Sequence, residues 1–378
     1  MSTDVRNPYY DGYVGVAQIR SFQIRPTKYV SAIYIPIAPQ HVGRAASVGA
    51  LLLPLIAAAC AGAPAIFGTH GLAADRIALL GWVCTIISCV VLGIITILVV
   101  VALVRRRPAR ASSADDRIEH SGHAIRWIVI GGIIVPGVTL VVTFLVTLVI
   151  QAEVANPPQR PVATIEVTGH RWWWEVKYLG VGPSGSVVTA NEIHVPVGQP
   201  VRFELVSADV IHSFWVPQLA GKTDVIPGLR NTMWMQADQP GVYWGECAEY
   251  CGLQHTHMNF VVVAESPAAF QSWMAQQRQP AARPIDAADA DGLDVFRRSG
   301  CGTCHAIQGT QAQGRIGPDL THVASRSRIG AGTLPNTPGN LAGWIANAQA
   351  LKPGSGMPTM TLSARDLRTL LAYLETLK

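Results

Sequence analysis

The amino-acid sequence predicts a multidomain membrane protein: a two-helix transmembrane hairpin, an all-β Greek-key sandwich and an all-α C-terminal domain. Three observations predict it. The runs 77–104 and 127–150 hold no charged residue, and at ~1.5 Å rise per residue each is long enough to cross a ~30 Å hydrocarbon core. Residues 161–265 alternate apolar and polar positions in short stretches broken by Gly/Pro turns, the pattern of half-buried strands. Residues 289–378 lose that alternation and close on Leu367, Leu370, Leu371 and Leu374, one apolar face of a helix. A chain of 378 residues has room for two or three domains. With 49% hydrophobic and only 14% charged residues it is apolar for a water-soluble protein. The net charge of +5 is spread over segments of opposite sign, which argues against a nucleic-acid partner.

Residues 1–60 form an N-terminal extension. Up to residue 43 it has no clear periodicity; Arg44 then precedes an apolar run that ends at Cys60. The run is too short to span a bilayer and ends in small residues, as the apolar region of a signal peptide does. Such a peptide starts near the initiator, so one reading places the true start near Val42; Cys60 is then a candidate acylated cysteine, with Ala57 a weak residue three positions before it. Between the two spans lie Arg105, Arg106, Arg107, Arg110, Arg117 and Arg126. By the positive-inside rule this loop is cytoplasmic, and everything after residue 150 is outside. Two buried helices of a soluble protein would need neither that length nor that arginine cluster. Pro136 is tolerated inside the second span, and Cys84 and Cys89 read as small packing residues of the first.

In the β region, Val162–Thr168, Glu192–Val195, Val201–Val206, Asn231–Gln236 and Asn259–Val263 read as strands. Short strands at this spacing suggest a Greek-key sandwich. His170 and His194 fall in or beside strands and read as packed or surface histidines. Trp172, Trp173 and Trp174 cannot all face one core, because successive strand residues point to opposite sides. At least one must lie on the outer surface, where its exposure is unfavourable unless something docks there.

The stretch Cys247-Ala-Glu-Tyr-Cys251-Gly-Leu-Gln-His255-Thr-His-Met258 packs two thiols, an imidazole and a thioether together, and His212 lies 35 residues before the first Cys. Soft sulfur with imidazole nitrogen selects copper over hard cations. Two cysteines allow both sulfurs to bridge a metal pair, each metal taking one His, with Met258 and a backbone carbonyl as weak axial donors. A structural zinc site or a Cys247–Cys251 disulfide is the plainer reading, but neither accounts for Met258. His257 reads as a strand residue rather than a ligand.

This pattern, Cys-x-Glu-x-Cys-Gly-x-x-His-x-x-Met with an upstream Val-x-His-Ser, resembles the dinuclear copper (CuA) site of cytochrome c oxidase subunit II, and places the sandwich with the cupredoxins. The resemblance implies as ligands His212, Cys247, Cys251, His255, Met258 and the carbonyl of Glu249, whose side chain would also reach a Mg or Mn ion shared with subunit I. Gly169-His-Arg-Trp172-Trp-Trp174 resembles the family segment whose exposed aromatic passes electrons to the copper pair, and Trp172 is the match. Asp209 and Lys222–Gly228 match family loops without an assigned chemistry. The family's proton-entrance glutamate has no clear counterpart; Glu119 is the nearest.

Residues 266–288, rich in Ala, Gln, Pro and Arg, read as a linker with a short helix around Phe270–Gln276. Beyond it, Cys301-Gly-Thr-Cys304-His305 is a c-type haem attachment motif: on a helical turn both thiols reach the porphyrin vinyl groups while His305 meets the iron. The domain resembles class I cytochrome c. In that family the carbonyl of the proline at Pro318 accepts the proximal histidine N–H, and Met357, with Met360 as competitor, supplies the sixth ligand. Leu362-Ser363-Ala-Arg-Asp366 looks like a capping box.

Together the two resemblances imply subunit II of a caa-type, proton-translocating oxidase with its donor fused at the C-terminus, in a bacterial plasma membrane with both metal domains on the outer face. The implied partners are subunit I, carrying haem a and the haem-copper centre, subunit III, membrane lipid, and an external donor such as a cytochrome c or a quinol–cytochrome c reductase. A quinol oxidase subunit lacking the copper ligands and a membrane-anchored copper donor are the competing classes. Residues 161–265 carry a net charge of −5 and residues 289–378 a net +3. Weak, salt-sensitive docking of the haem domain over Trp172, through basic residues such as Arg297 and Arg298, is therefore expected.

Overall fold

The computed structural model describes residues 65–105, 122, 125–180, 186–283 and 287–378. The N-terminal extension with Cys60, the arginines 106, 107, 110 and 117, and Glu119 lie outside the described residues. Two helices are long and apolar enough to cross a membrane: α1, Leu72–Val104, and α2, Ile125–Ala155. Both extend past the expected 77–104 and 127–150. The first two turns of α1 bury Ala73, Ala74 and Ala78, small side chains that let the helix end press onto the sandwich. Most side chains beyond it are apolar and outward-facing all round the helix, the surface of a segment solvated by lipid. A π-helical turn over Ile130–Ile134 lies directly before Pro136, whose missing N–H and bulky ring disturb the regular ladder there. At the sandwich end, Arg76 and Glu153 pair at 3.1 Å. The Trp234 indole N–H donates to the Val154 carbonyl at 2.7 Å. His70 exchanges backbone hydrogen bonds with Gln218 and Asp238. The hairpin is thus stitched to the sandwich by both of its chain ends.

The sandwich comprises β1 Thr164–His170, β2 Trp173–Leu179, β3 Ser186–Ala190, β4 Glu192–Pro196, β5 Val201–Ser207, β6 His212–Trp215, β7 Thr223–Val225, β8 Asn231–Met235, β9 Gly241–Cys247 and β10 Asn259–Glu265. One sheet runs β3-β2-β1-β5-β8 and the other β4-β10-β9-β6-β7. The parallel pairs β1·β5 and β4·β10 mark the crossovers of a Greek key. Alternation does what the pattern requires: Ile165 and Val167 of β1, and Trp174, Val176 and Tyr178 of β2, all face the core. Phe214 stacks on Phe260 at 4.4 Å between ring centres, and Trp174 meets both edge-on.

The stretch 266–288, expected to be a linker with a short helix around Phe270–Gln276, begins with α3, Pro267–Gln277, which is longer than expected and packs as an element of the sandwich. Ser266 caps it, accepting from the Ala269 N–H. Phe270 and Met274 are buried in the sandwich core, and Trp273 stacks on His194 at 4.1 Å. Three apolar side chains at helical spacing, Phe270, Trp273 and Met274, outweighed the polar composition. The C-terminal domain packs α4, Ala287–Arg298, against α6, Ala364–Thr376, with α5, Pro338–Leu351, and the two-residue strands β11 Arg328–Ile329 and β12 Leu334–Pro335. Phe296, Leu370, Tyr373 and Leu374 are buried between them. Of the expected capping box only half forms. Ser363 accepts from the Asp366 N–H at 3.0 Å, while the Asp366 carboxylate takes Arg298 of α4 at 2.6 Å.

Candidate functional site

Strands β6 and β9 and the loop after β9 bring the soft donors together. The two thiol sulfurs of Cys247 and Cys251 are 3.8 Å apart. Cys247 Sγ lies 3.9 Å from His212 Nδ1 and 3.2 Å from the Glu249 carbonyl oxygen. Cys251 Sγ lies 3.8 Å from both His255 Nδ1 and Met258 Sδ. The sulfurs are too far apart for the ~2.05 Å bond of a disulfide, and their separation suits metal–thiolate bonds of ~2.3 Å. His212 and the two cysteines cluster in the buried interior, with His255 and Met258 beside Cys251, and this sulfur, imidazole and thioether set fits copper, with no hard carboxylate among the facing donors. The hydrogen bond from Cys251 holds the Cys247 thiol well below its ordinary value, while the same pairing and burial push Cys251 up.

His212 is held from behind. Its Nε2–H donates to Asp209 Oδ1 at 2.8 Å, which leaves Nδ1 for metal. Asp209 also accepts from the Arg171 N–H at 2.7 Å and from the Val210 N–H. Burial pushes its carboxyl up, but these hydrogen bonds outweigh burial and hold it below the ordinary aspartate value. A Cβ at Gly169 would sit 2.7 Å from the His212 ring, so only glycine lets strand β1 lie this close. The sequence reading gave Asp209 no role; its position three residues before His212 was the available signal.

The three tryptophans divide by position. Trp174 is fully buried, and Trp173 stacks on His170 at 4.4 Å. Trp172, half-buried at the β1–β2 turn, donates its indole N–H to the Cys251 carbonyl at 3.0 Å. The far edge of the same ring lies against Gly354, in the loop that carries Met357.

In the C-terminal domain, Cys301, Cys304 and His305 occupy one tight turn. His305 Nδ1–H donates to the Pro318 carbonyl at 2.7 Å, leaving Nε2 for iron. Burial holds its pKa below the ordinary histidine value, so it stays in the neutral, ligating form. A Cβ at Gly317 would come within 2.6 Å of the imidazole. Met357 packs on the apolar core, and its carbonyl accepts from Gln349 Nε2 at 2.6 Å. Arg326 is buried, and its Nε has no hydrogen-bond partner among the described residues, an orphan donor that a haem carboxylate would satisfy. These residues fit a c-type haem.

The two metal domains touch directly. Arg297 and Arg298, expected at this contact, bond inside the haem domain instead, to Gln311 and to Asp366 and Asp294. The contact is made by the 326–333 and 352–354 segments. Ser327 N–H and hydroxyl donate to the Glu192 carboxylate. The Arg328 guanidinium lies 5.2 Å over Trp244. Asn259 N–H donates to the Ala331 carbonyl at 3.0 Å, and Gln254 Nε2 to the Pro353 carbonyl at 2.9 Å. The Lys352 ammonium donates to the carbonyls of Trp172, His257 and Gly330 at 2.7, 2.6 and 3.1 Å. His257, expected within a strand, sits in a 3-10 turn before β10, its ring paired with Gln254 at 2.7 Å.

Residues 182–265 match the family described as cytochrome c oxidase subunit II, periplasmic domain, and residues 290–378 match cytochrome c. The chain is 35% identical to cytochrome c oxidase subunit 2 of Alkalihalophilus pseudofirmus over 305 residues, covering 78% of this chain and 86% of that protein. It is 32% identical to the protein of the same name from Bacillus sp. over 291 residues, 72% of this chain and 80% of that one. Among solved structures, the periplasmic domain of subunit II of cytochrome oxidase of Bradyrhizobium japonicum aligns at 30% identity and TM-score 0.30, covering 32% of this chain and 96% of that chain. With both domains matched and most of two relatives spanned, the chain belongs to the cytochrome c oxidase subunit 2 family, in the form that carries its own cytochrome c domain.

Proposed function

We propose that this subunit is the electron entry of its oxidase, taking electrons at haem c and handing them through Trp172 to the CuA pair, from which they reach haem a of subunit I, where O2 is reduced to water. When bound, the two centres supply reversible one-electron chemistry; the chain supplies their positions. The observation that carries the reading is Trp172 itself. Its indole N–H is bonded to the carbonyl of Cys251, a proposed copper ligand, and its other edge meets the loop of Met357, the proposed sixth haem ligand.

Each side chain then has a part. Cys301 and Cys304 anchor the porphyrin, and the Pro318 carbonyl fixes the ring plane of His305. Gln349 ties down the Met357 loop. Asp209 fixes His212, and Cys247, Cys251, His255, Met258 and the Glu249 carbonyl complete the copper set. The Glu249 side chain is exposed, as sharing a Mg or Mn ion with subunit I would require. Arg105 ends α1 and Arg126 lies in the first turn of α2, at the ends remote from the sandwich. By the positive-inside rule the copper and haem domains then lie on the outer face of a bacterial plasma membrane. Subunit III and an external cytochrome or quinol–cytochrome c reductase complete the assembly. The test is flash-induced haem-to-copper transfer in the assembled oxidase. Trp172→Ala is expected to slow that step with both optical spectra intact; an unchanged rate would refute the route.

A further inference from the structure

The haem domain sits on the copper domain through a buried ammonium that has no carboxylate partner among the described residues. Lys352 is only 2% exposed. Burying a cationic side chain costs several kcal/mol unless its donors are met. Burial pulls the Lys352 pKa down to about 7, but three carbonyl oxygens face Nζ, so it is the protonated amine, with three N–H donors, whose bonds are all met, and by both domains. The carbonyls of Trp172 and His257 belong to the copper domain and that of Gly330 to the haem domain. The same residue opens the loop that runs through Pro353 and Gly354 to Met357, and its acceptors include the backbone of the tryptophan that touches the Cys251 carbonyl.

We propose that Lys352 is the positioning residue of this interface: its ammonium latches the haem methionine loop onto the backbone of Trp172 and His257, fixing one seat for the tethered haem domain. The proposal rests on the reading that electrons cross at Trp172. It replaces a loosely sampled, charge-steered encounter with a preformed contact. The neighbouring bonds support the same seat. Gln254 reaches Pro353 with its own amide oxygen held by His257, Asn259 reaches Ala331, and Glu192 accepts from Ser327. Among these described contacts the Lys352 ammonium alone joins three backbone segments, and one of its acceptors, His257, lies inside the Cys247–Met258 stretch. Because the latch is buried rather than exposed, transfer in the parent should be nearly indifferent to salt, since screening acts chiefly on solvated charges.

The test is Lys352→Met in the assembled oxidase, which keeps the apolar stem and strands the Trp172 and His257 carbonyls. Two signals are read, hydrogen exchange at the Asn259 amide, whose acceptor Ala331 lies across the interface, and the haem-to-copper transfer rate over a salt series. An unsatisfied buried group is worth about a tenfold change or more in the docking equilibrium. Asn259 should therefore exchange at least about tenfold faster, and transfer should slow and become salt-dependent, with haem and copper spectra unchanged. Parent-like protection of Asn259 overturns the latch. Loosened Asn259 with an unchanged transfer rate keeps the latch and removes the Trp172 route, so the two failures are distinct. Should Met disturb the haem spectrum, Lys352→Gln, which retains a donor without the charge, is read the same way; intermediate protection supports the proposal and parent-like protection overturns it.

Discussion

Asp209→Ala isolates the effect of orienting one proposed copper ligand, His212, without touching the proposed ligand set. The carboxylate accepts three hydrogen bonds, from His212 Nε2 at 2.8 Å, the Arg171 N–H at 2.7 Å and the Val210 N–H. Removing it frees the His212 ring to rotate and leaves Nε2–H to find water. Loss of such an outer partner typically lowers metal affinity about 10–100-fold, or ~1.4–2.8 kcal/mol. The sandwich itself should tolerate the change, because Asp209 is partly exposed and the surrounding core is aromatic. Copper retention against a graded chelator, followed by the charge-transfer absorption of the pair, gives the number. The pH dependence has a definite sign. The folded-state carboxyl is held below its ordinary value of 3.8, so the parent's advantage is complete above that value and is lost as pH falls through the lowered one. Parent-like copper affinity in Asp209→Ala at neutral pH would show that His212 is oriented by its own packing against Gly169 and Trp174, and would refute the reasoning.

Two further changes probe other joints. Met357→Leu conserves volume, costing under ~1.5 kcal/mol of stability, but should lower the haem potential and abolish the methionine–iron band, while the porphyrin stays covalently attached. Loss of that band in Met360→Leu instead would move the ligand by three residues. Phe270→Ala empties a buried aromatic site under α3 and should destabilise the sandwich by about 3–5 kcal/mol, read as a lowered melting transition; no shift would return α3 to the status of a linker.

Much of this protein was legible in its sequence because its determinants are local. The hairpin follows from two uncharged runs, and lipid asks only for length and apolarity. The Cys247–Met258 donors lie within one loop, and Cys301, Cys304 and His305 on one turn, so spacing alone brings them together. The period of two in residues 161–265 places Trp174, Val176 and Tyr178 in a core whatever the order of the strands. Which sheet each strand joins was not local: β1 pairs with β5 and β4 with β10 by crossovers that no pattern along the chain announces.

The tertiary structure alone decided how the site is held and joined. That His212 turns Nδ1 toward the thiols depends on Asp209 standing behind it. That α3 belongs to the sandwich depends on an open apolar surface for Phe270 and Met274, which composition does not display. Arg297 and Arg298 looked like a docking patch because a sequence shows charges but not their partners; folded, Arg298 is taken by Asp366 and Asp294 and Arg297 by Gln311. Nothing beside Lys352 in the sequence marks a partner for it. Its acceptors lie 22, 95 and 180 residues away. An ammonium is buried only where carbonyls from distant segments converge, and such convergence exists only once both domains have folded and met.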